Sequence, residues 1–151
     1  MNGVFGRDTH LACGIAYALI EQGHRVKFTT ATHLVQSLQH AKETLRLAEV
    51  LTRMDKYTAL IIDDIGYVKK DNQETMALFE LIAHRYETGS LIITSNQPFS
   101  DWDQIFDNGM MAVAAIDRLV HHATILEMGG ESYRMKASMQ RRGGRKVTDD
   151  N

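Results

Sequence analysis

A three-layer α/β fold built on a parallel sheet is what the sequence predicts, and two observations carry that reading. Ala59-Leu60-Ile61-Ile62 is an apolar run without alternation, so both faces of that strand should be covered. It is one of several short apolar strands separated by helix-length amphipathic stretches, the spacing of parallel βαβ units. With 151 residues and 44% of them apolar, the chain can bury a single globular core.

The elements follow in order. A first helix is expected from about Thr9 to Gln22 on the apolar stretch Leu11 to Ile20, closed by Gly23 as a left-handed cap. Strand Arg25 to Thr30 comes next. Thr32 then caps a long helix that places Leu34, Val35, Leu38, Ala41, Leu45 and Ala48 at helical spacing. After strand Thr58 to Asp63, the segment Asn72 to Thr88 reads as a helix turning Met76, Phe79, Leu81, Ile82 and Tyr86 to the core, with Gly89 ending it. Strand Ser90 to Ser95 follows, and Pro98 begins a short helix with Trp102, Ile105 and Phe106. Met110 to His122 is helical, and Ala123 to Glu127 is the last strand. Internal repeats and low-complexity linkers are not evident.

Composition narrows the class further. Cys13 is the only cysteine, so an intramolecular disulfide is excluded, and a lone Cys on an apolar helix face reads as buried packing. No stretch approaches eighteen apolar residues and the N-terminus lacks a charged region followed by an apolar core, so no membrane span or signal peptide is expected and the chain reads as cytoplasmic. Seven histidines occur without an H-E-x-x-H pattern or a Cys/His pairing, and adjacent His121 and His122 point in different directions on a helix, which argues against zinc. A net charge of −2 gives no global case for nucleic acid. Locally the ending is basic: Lys136, Arg141, Arg142, Arg145 and Lys146 surround Gly143-Gly144, which reads either as a cationic tail for phosphates or as a solvated terminus.

The chemistry concentrates where the apolar run ends in two carboxylates. Asp63 falls at the carboxyl end of its strand, where open α/β sheets bind ligands, and suits a Mg²⁺ ion, while Asp64 suits the polarisation of a water. Taken alone, the pair reads equally well as caps of the next turn. Gly3-Val4-Phe5-Gly6-Arg7-Asp8-Thr9 puts two glycines and a threonine before a helix, where backbone N–H groups favour anions. The phosphate-loop pattern G-x-x-x-x-G-K-[ST] is not met, because Asp8 stands before Thr9 where a lysine would attract phosphate. Arg7, one position early, is no direct replacement for it.

From Thr9 to about Arg134 the chain resembles the IstB-like transposition helper ATPases, relatives of the DnaC helicase loaders within the AAA+ class. The residues that carry the resemblance are Thr9-His10-Leu11-Ala12, Val26-Lys27-Phe28-Thr29-Thr30-Ala31, and Leu60-Ile61-Ile62-Asp63-Asp64-Ile65-Gly66-Tyr67 as Walker B. They continue with Arg85-Tyr86-Glu87, Thr94-Ser95-Asn96-Gln97-Pro98-Phe99-Ser100, Ala115-Ile116-Asp117-Arg118-Leu119 and Glu131-Ser132-Tyr133-Arg134. The resemblance implies a P-loop NTPase sheet of AAA+ type, with a partial ATP-binding domain over residues 1–135 and a basic flexible tail over 136–151. It implies ATP and Mg²⁺ as cofactors, with Gly3, Gly6 and Thr9 at the phosphates and Asp63 and Thr9 at the metal. Asp64 takes the catalytic-acid position, more often a Glu in this class, and Asn96 resembles sensor 1, whose amide both donates and accepts. Arg118 resembles the arginine finger offered to a neighbouring subunit, and Arg134 the sensor 2 arginine, both suited to charge on a transferring phosphoryl group.

The departure is at the start, where full-length members have an α-helical region and a central strand leading into the phosphate loop. Here Met1 falls inside that loop, so the sheet is expected to lack its central first strand and the core to be destabilised or rearranged. Two functions result. One is an ATP-binding helper of DNA transposition, a homo-oligomer acting on target DNA with a partner transposase, its nucleotide binding weakened by the missing lysine. The other is a non-catalytic truncated remnant that pairs only with intact helper subunits or DNA.

Overall fold

The computed structural model describes residues 7–66, 71–104 and 109–128. The elements are α1 (Arg7–Glu21), β1 (Val26–Thr30), α2 (Ala31–Glu43), α3 (Leu47–Met54), β2 (Ala59–Asp63), α4 (Asn72–Arg85), β3 (Ser90–Ile93), a 3₁₀ turn (Phe99–Gln104) and α5 (Gly109–His121). The three strands form one parallel sheet in the order β1-β2-β3, with Ala59 opposite both Val26 and Ser90.

All five residues of β2 are buried, as an unalternating run between two covered faces requires. One face carries the main core: Leu60 and Ile62 pack with Leu34, Val35 and Leu38 of α2, Leu51 and Met54 of α3, and Leu78 and Leu81 of α4. Against the other face α1 touches β1 and β2. It buries Ala12 but leaves Leu11, Tyr17 and Ile20 exposed, so this layer is thinly covered. Cys13 is exposed, which corrects the expected buried packing.

Local signals fix the helix ends, and several differ from expectation. α1 closes as anticipated, with Gly23 at φ +86° and the N–H of His24 donating to the Leu19 carbonyl. α2 is capped by Thr30, the last residue of β1, whose hydroxyl accepts from the His33 N–H at 3.2 Å, rather than by Thr32. The expected long helix is two helices. Leu45 takes φ +57° and is 94% exposed, while Arg46 N–H bonds Ala41 O at 2.7 Å and Leu45 N–H bonds Lys42 O at 3.1 Å. That is a Schellman closure with leucine where glycine is usual, and it turns α3 so that Leu51 and Met54 reach the core.

α4 opens on a capping box, Asp71 accepting from the Glu74 N–H and Glu74 from the Asp71 N–H. It stops at Arg85, short of Thr88, where Tyr86 takes ψ 124° and Glu87 φ +63°, and the Arg85 side chain turns inward. Only 1% exposed, its guanidinium donates to Met54 O and Tyr57 O at 3.0 Å, to Ser90 O at 3.3 Å and to Thr58 O at 3.4 Å. Burial pushes this guanidinium below its usual range, with Asp55 pulling the other way. A side chain at Gly89 would collide with it, so Gly89 is needed for that close approach rather than to end the helix. Thr75, Ala77, Leu78, Leu81 and Ile82 are the buried neighbours on α4, and Met76, Phe79 and Tyr86 are only half-buried.

β3 is shorter than expected, ending at Ile93, although Thr94 N–H still reaches Ile62 O at 3.0 Å. The final strand is not formed: residues 123–128 are exposed and unpaired with any strand among the described residues, so the ladder bonds that define a strand are missing. Trp102 is buried in the 3₁₀ turn, while Ile105 and Phe106 lie outside the described residues, as does the tail 136–151.

Arg85→Ala is expected to lower the unfolding free energy by about 3 kcal/mol or more, because each carbonyl left dry costs about 1–3 kcal/mol. Denaturant titration of the parent and variant checks this. A loss within experimental error would show that the carbonyls find other donors.

Candidate functional site

The site begins with the last residue of β2. Asp63 is 6% exposed, and a buried carboxylate must be hydrogen-bonded to remain there. Its Oδ1 accepts from Thr9 Oγ1 at 2.8 Å and from Thr94 Oγ1 at 2.5 Å. Thr9 lies in the first turn of α1 and Thr94 directly after β3, so one oxygen joins three elements. The Thr94 hydroxyl, having donated its proton to Asp63, accepts from the Asp64 N–H at 3.0 Å, which is what a hydroxyl's inventory allows. The Thr94 carbonyl also accepts from the Ile65 N–H at 3.0 Å.

These bonds turn the chain abruptly out of the strand. Asp64 sits at φ +62°, in the left-handed region that Asp tolerates better than most residues, and its side chain is exposed. Its carboxyl is raised above the usual carboxylate range, first by partial burial, then by the charges of Asp63 and Asp8. Two residues on, Gly66 is buried against the loop after β3. A Cβ there would stand 2.9 Å from Ser95 Oγ and 3.0 Å from Asn96 Oδ1. Asn96 is therefore held beside the turn that carries Asp64, within the exposed loop where Gln97 N–H donates to Ser95 Oγ.

Of the residues singled out from the sequence, Thr9 and Asp63 are brought into contact, and Asp64 and Asn96 flank them. Arg118 is elsewhere: its guanidinium lies 5.0 Å from the centre of the Phe79 ring on α4, the geometry of a cation–π contact. Gly3, Gly6 and Arg134 lie outside the described residues. Thr94 was missed. A hydroxyl following Leu91-Ile92-Ile93 in parallel register with Ile62 and Asp63 was the available signal. Among the described residues no cluster of three or more His, Cys, Asp or Glu has metal-binding geometry, and His121 and His122 meet edge to face with ring centres 4.4 Å apart.

A parallel sheet with a buried acid at its carboxyl edge, bonded to a hydroxyl in the first turn of a helix, belongs to the P-loop α/β fold class. The solved structures it resembles agree on the fold. The DnaC helicase loader superposes with a TM-score of 0.60 at 24% identity over 72% of this chain and 66% of that one. AMPPCP-bound DnaA from Aquifex aeolicus gives a TM-score of 0.67 at 14% identity, covering 99% of this chain and 45% of that one. Over residues 3–141 the chain matches the family of IstB-like ATP binding proteins, and it belongs to that family. An insertion sequence ATP-binding protein of Sinorhizobium fredii is 53% identical over 89% of this chain and 45% of its own length. The insertion sequence IS21 ATP-binding protein of Pseudomonas aeruginosa is 41% identical over 85% of this chain and 48% of its own. The chain thus spans about half the length of the relatives it matches.

Asp64 gives a pH test whose sign is fixed. Its folded-state pKa is raised, so folding favours the protonated carboxyl; that stability is present below the unfolded pKa and lost as pH rises through the folded one. Asp64→Asn keeps a residue that tolerates positive φ while removing the charge. The variant is expected to melt higher than the parent at neutral pH, with the gain shrinking as pH falls through the carboxylate range. A gain independent of pH, followed by thermal melts across that range, would remove the electrostatic explanation.

Proposed function

We propose that this chain is an ATP-binding helper of DNA transposition that takes ATP with Mg²⁺ at the Thr9–Asp63 contact. The observation that carries the reading is the Thr9 hydroxyl bonded to the Asp63 carboxylate at 2.8 Å, where a helix N-terminus meets the carboxyl edge of the sheet. Hydroxyl and carboxylate are hard oxygen donors suited to Mg²⁺, and a cation there would offset the charges of Asp63 and Asp8, which add to partial burial in raising the Asp64 carboxyl. The metal supplies charge neutralisation at the phosphates when bound.

Each remaining role belongs to a residue of this chain. The first turn of α1 offers N–H groups to phosphate oxygens, with Gly3 and Gly6 preceding it in the sequence. Asp64 orients the attacking water, and Asn96, beside it, holds that water or the γ-phosphate. Arg118 and Arg134 supply cations at the γ-phosphate, Arg118 from a neighbouring subunit, which requires it to leave Phe79. Homo-oligomerisation, contact with target DNA through the basic residues after Lys136, and delivery of that DNA to a transposase complete the reading.

Asp8 tempers it. A carboxylate in place of the phosphate-loop lysine forfeits charge-assisted contacts of about 1.5–3 kcal/mol each, or one to two orders of magnitude in affinity. It also supports the second reading, a non-hydrolysing subunit that pairs with intact relatives. Equilibrium binding of a fluorescent ATP analogue, with and without Mg²⁺, separates the two. Saturable Mg²⁺-dependent binding that Asp63→Ala abolishes is expected. A folded protein that binds nothing would overturn the ATP-binding reading, and co-purification with an intact relative would then test the second.

A further inference from the structure

Thr94 is 7% exposed, stands directly after β3, and commits its hydroxyl to both acids that end β2. The hydroxyl donates to Asp63 Oδ1 at 2.5 Å and accepts from the Asp64 N–H at 3.0 Å. Its backbone is fixed separately, the Thr94 N–H donating to Ile62 O and the Thr94 carbonyl accepting from the Ile65 N–H, both at 3.0 Å. The backbone bonds on either side of the turn therefore place the hydroxyl, and the hydroxyl places the acids. Thr9 donates to the same Asp63 Oδ1 at 2.8 Å, so that oxygen holds two donors while no hydrogen bond reaches Oδ2 among the described residues. Nor is Oδ2 a dry orphan: the buried side-chain atoms without a partner among the described residues are Arg85 Nε and Trp102 Nε1.

We propose that Thr94 is a positioning residue for the Mg²⁺-dependent chemistry, whose hydroxyl locks the Asp63 carboxylate so that Oδ2 is left for the metal's water shell, and holds Asp64 at a fixed offset from it. The proposal rests on the ATP–Mg²⁺ reading of this site. The last torsion of an aspartate is soft, so a carboxylate held by one donor can swing about its Cβ–Cγ bond. Two donors on one oxygen, brought by α1 and by the end of β3, remove that freedom. The second acid depends on the same hydroxyl. Asp64 leaves the strand at φ +62°, and the acceptor of its N–H is Thr94 Oγ1, so one group sets where both carboxylates stand. Valine reproduces the shape of threonine but neither donates nor accepts, whereas serine does both, and this difference separates positioning from packing.

The test measures the affinity of the full chain for a fluorescent ATP analogue in EDTA and in saturating Mg²⁺, and takes the ratio of the two. Thr94→Val is expected to lower that ratio about tenfold through the Mg²⁺ arm, and Thr94→Ser to return it to within about threefold of the parent, as for a hydrogen bond to a charged group. A second readout needs no nucleotide. By NMR the Asp64 N–H is expected to exchange about tenfold faster in Thr94→Val and at the parent's rate in Thr94→Ser. If valine prevents folding, Thr94→Ala removes the same hydroxyl and takes its place in both comparisons. A parental ratio in the folded valine or alanine variant, a loss that serine does not restore, or unchanged exchange at Asp64 would each overturn this proposal and leave the ATP-binding reading standing. A folded parent whose binding does not depend on Mg²⁺ would overturn both.

Discussion

One carboxylate oxygen sets the geometry on which this structure depends. Asp63 Oδ1 is reached by a hydroxyl from α1 and another from the end of β3, so the helix start, the central strand and the edge strand are tied at a single atom. A buried charge cannot be left without donors, and here both are neutral hydroxyls. The consequences spread outward. Thr94, committed to Asp63, takes the Asp64 N–H in return, and Asp64 leaves the strand in a left-handed conformation. Asp64 is thereby partly withdrawn from water and brought close to Asp63 and Asp8, so that burial first and the two charges second raise its carboxyl, and Gly66 is set tightly against Asn96.

At the opposite end of the sheet a buried cation does the corresponding work. Arg85 gathers carbonyls from the end of α3, the lead into β2 and the start of β3, and so holds the amino ends of both strands. The sheet is pinned at its two ends by groups of opposite charge, each hydrogen-bonded to polar atoms of neighbouring segments, although the buried Arg85 Nε has no partner among the described residues. Between those pins no strand pairs with the outer edge of β3 among the described residues. Exposed Leu11, Tyr17 and Ile20 on α1 belong to the same thinly covered side of the molecule.

The sheet and its acid were legible because an unalternating apolar run ending in Asp63 admits few other placements, and parallel pairing followed from the alternation of elements. What stayed hidden depends on interactions that a linear pattern does not encode. Apolar spacing continues across Leu45, so nothing local marks the break; a leucine at positive φ is rare, and the closure that imposes it is formed by backbone bonds. Gly89 reads in the sequence as the end of α4, but the helix has already ended at Arg85, and Gly89 leaves room for the Arg85 guanidinium. Residues 123–127 have a strand-like composition, but strand formation requires a ladder partner, and they pair with no strand among the described residues. For the site, Thr9 and Asp63 followed from the motif order, and Thr94 required thinking in register across two strands.

Membership of the IstB-like ATP binding family and an acid–hydroxyl contact at the sheet's carboxyl edge support the same proposed chemistry. The central claim is that Thr9 and Thr94 act on one and the same carboxylate. A double-mutant cycle on stability with Thr94→Val and Asp63→Ala, repeated with Thr9→Val and Asp63→Ala, measures this directly because alanine leaves no acceptor. A shared acceptor requires coupling of about 1 kcal/mol or more in both cycles, as for residues in one hydrogen-bond network. Additive losses in either cycle would contradict it.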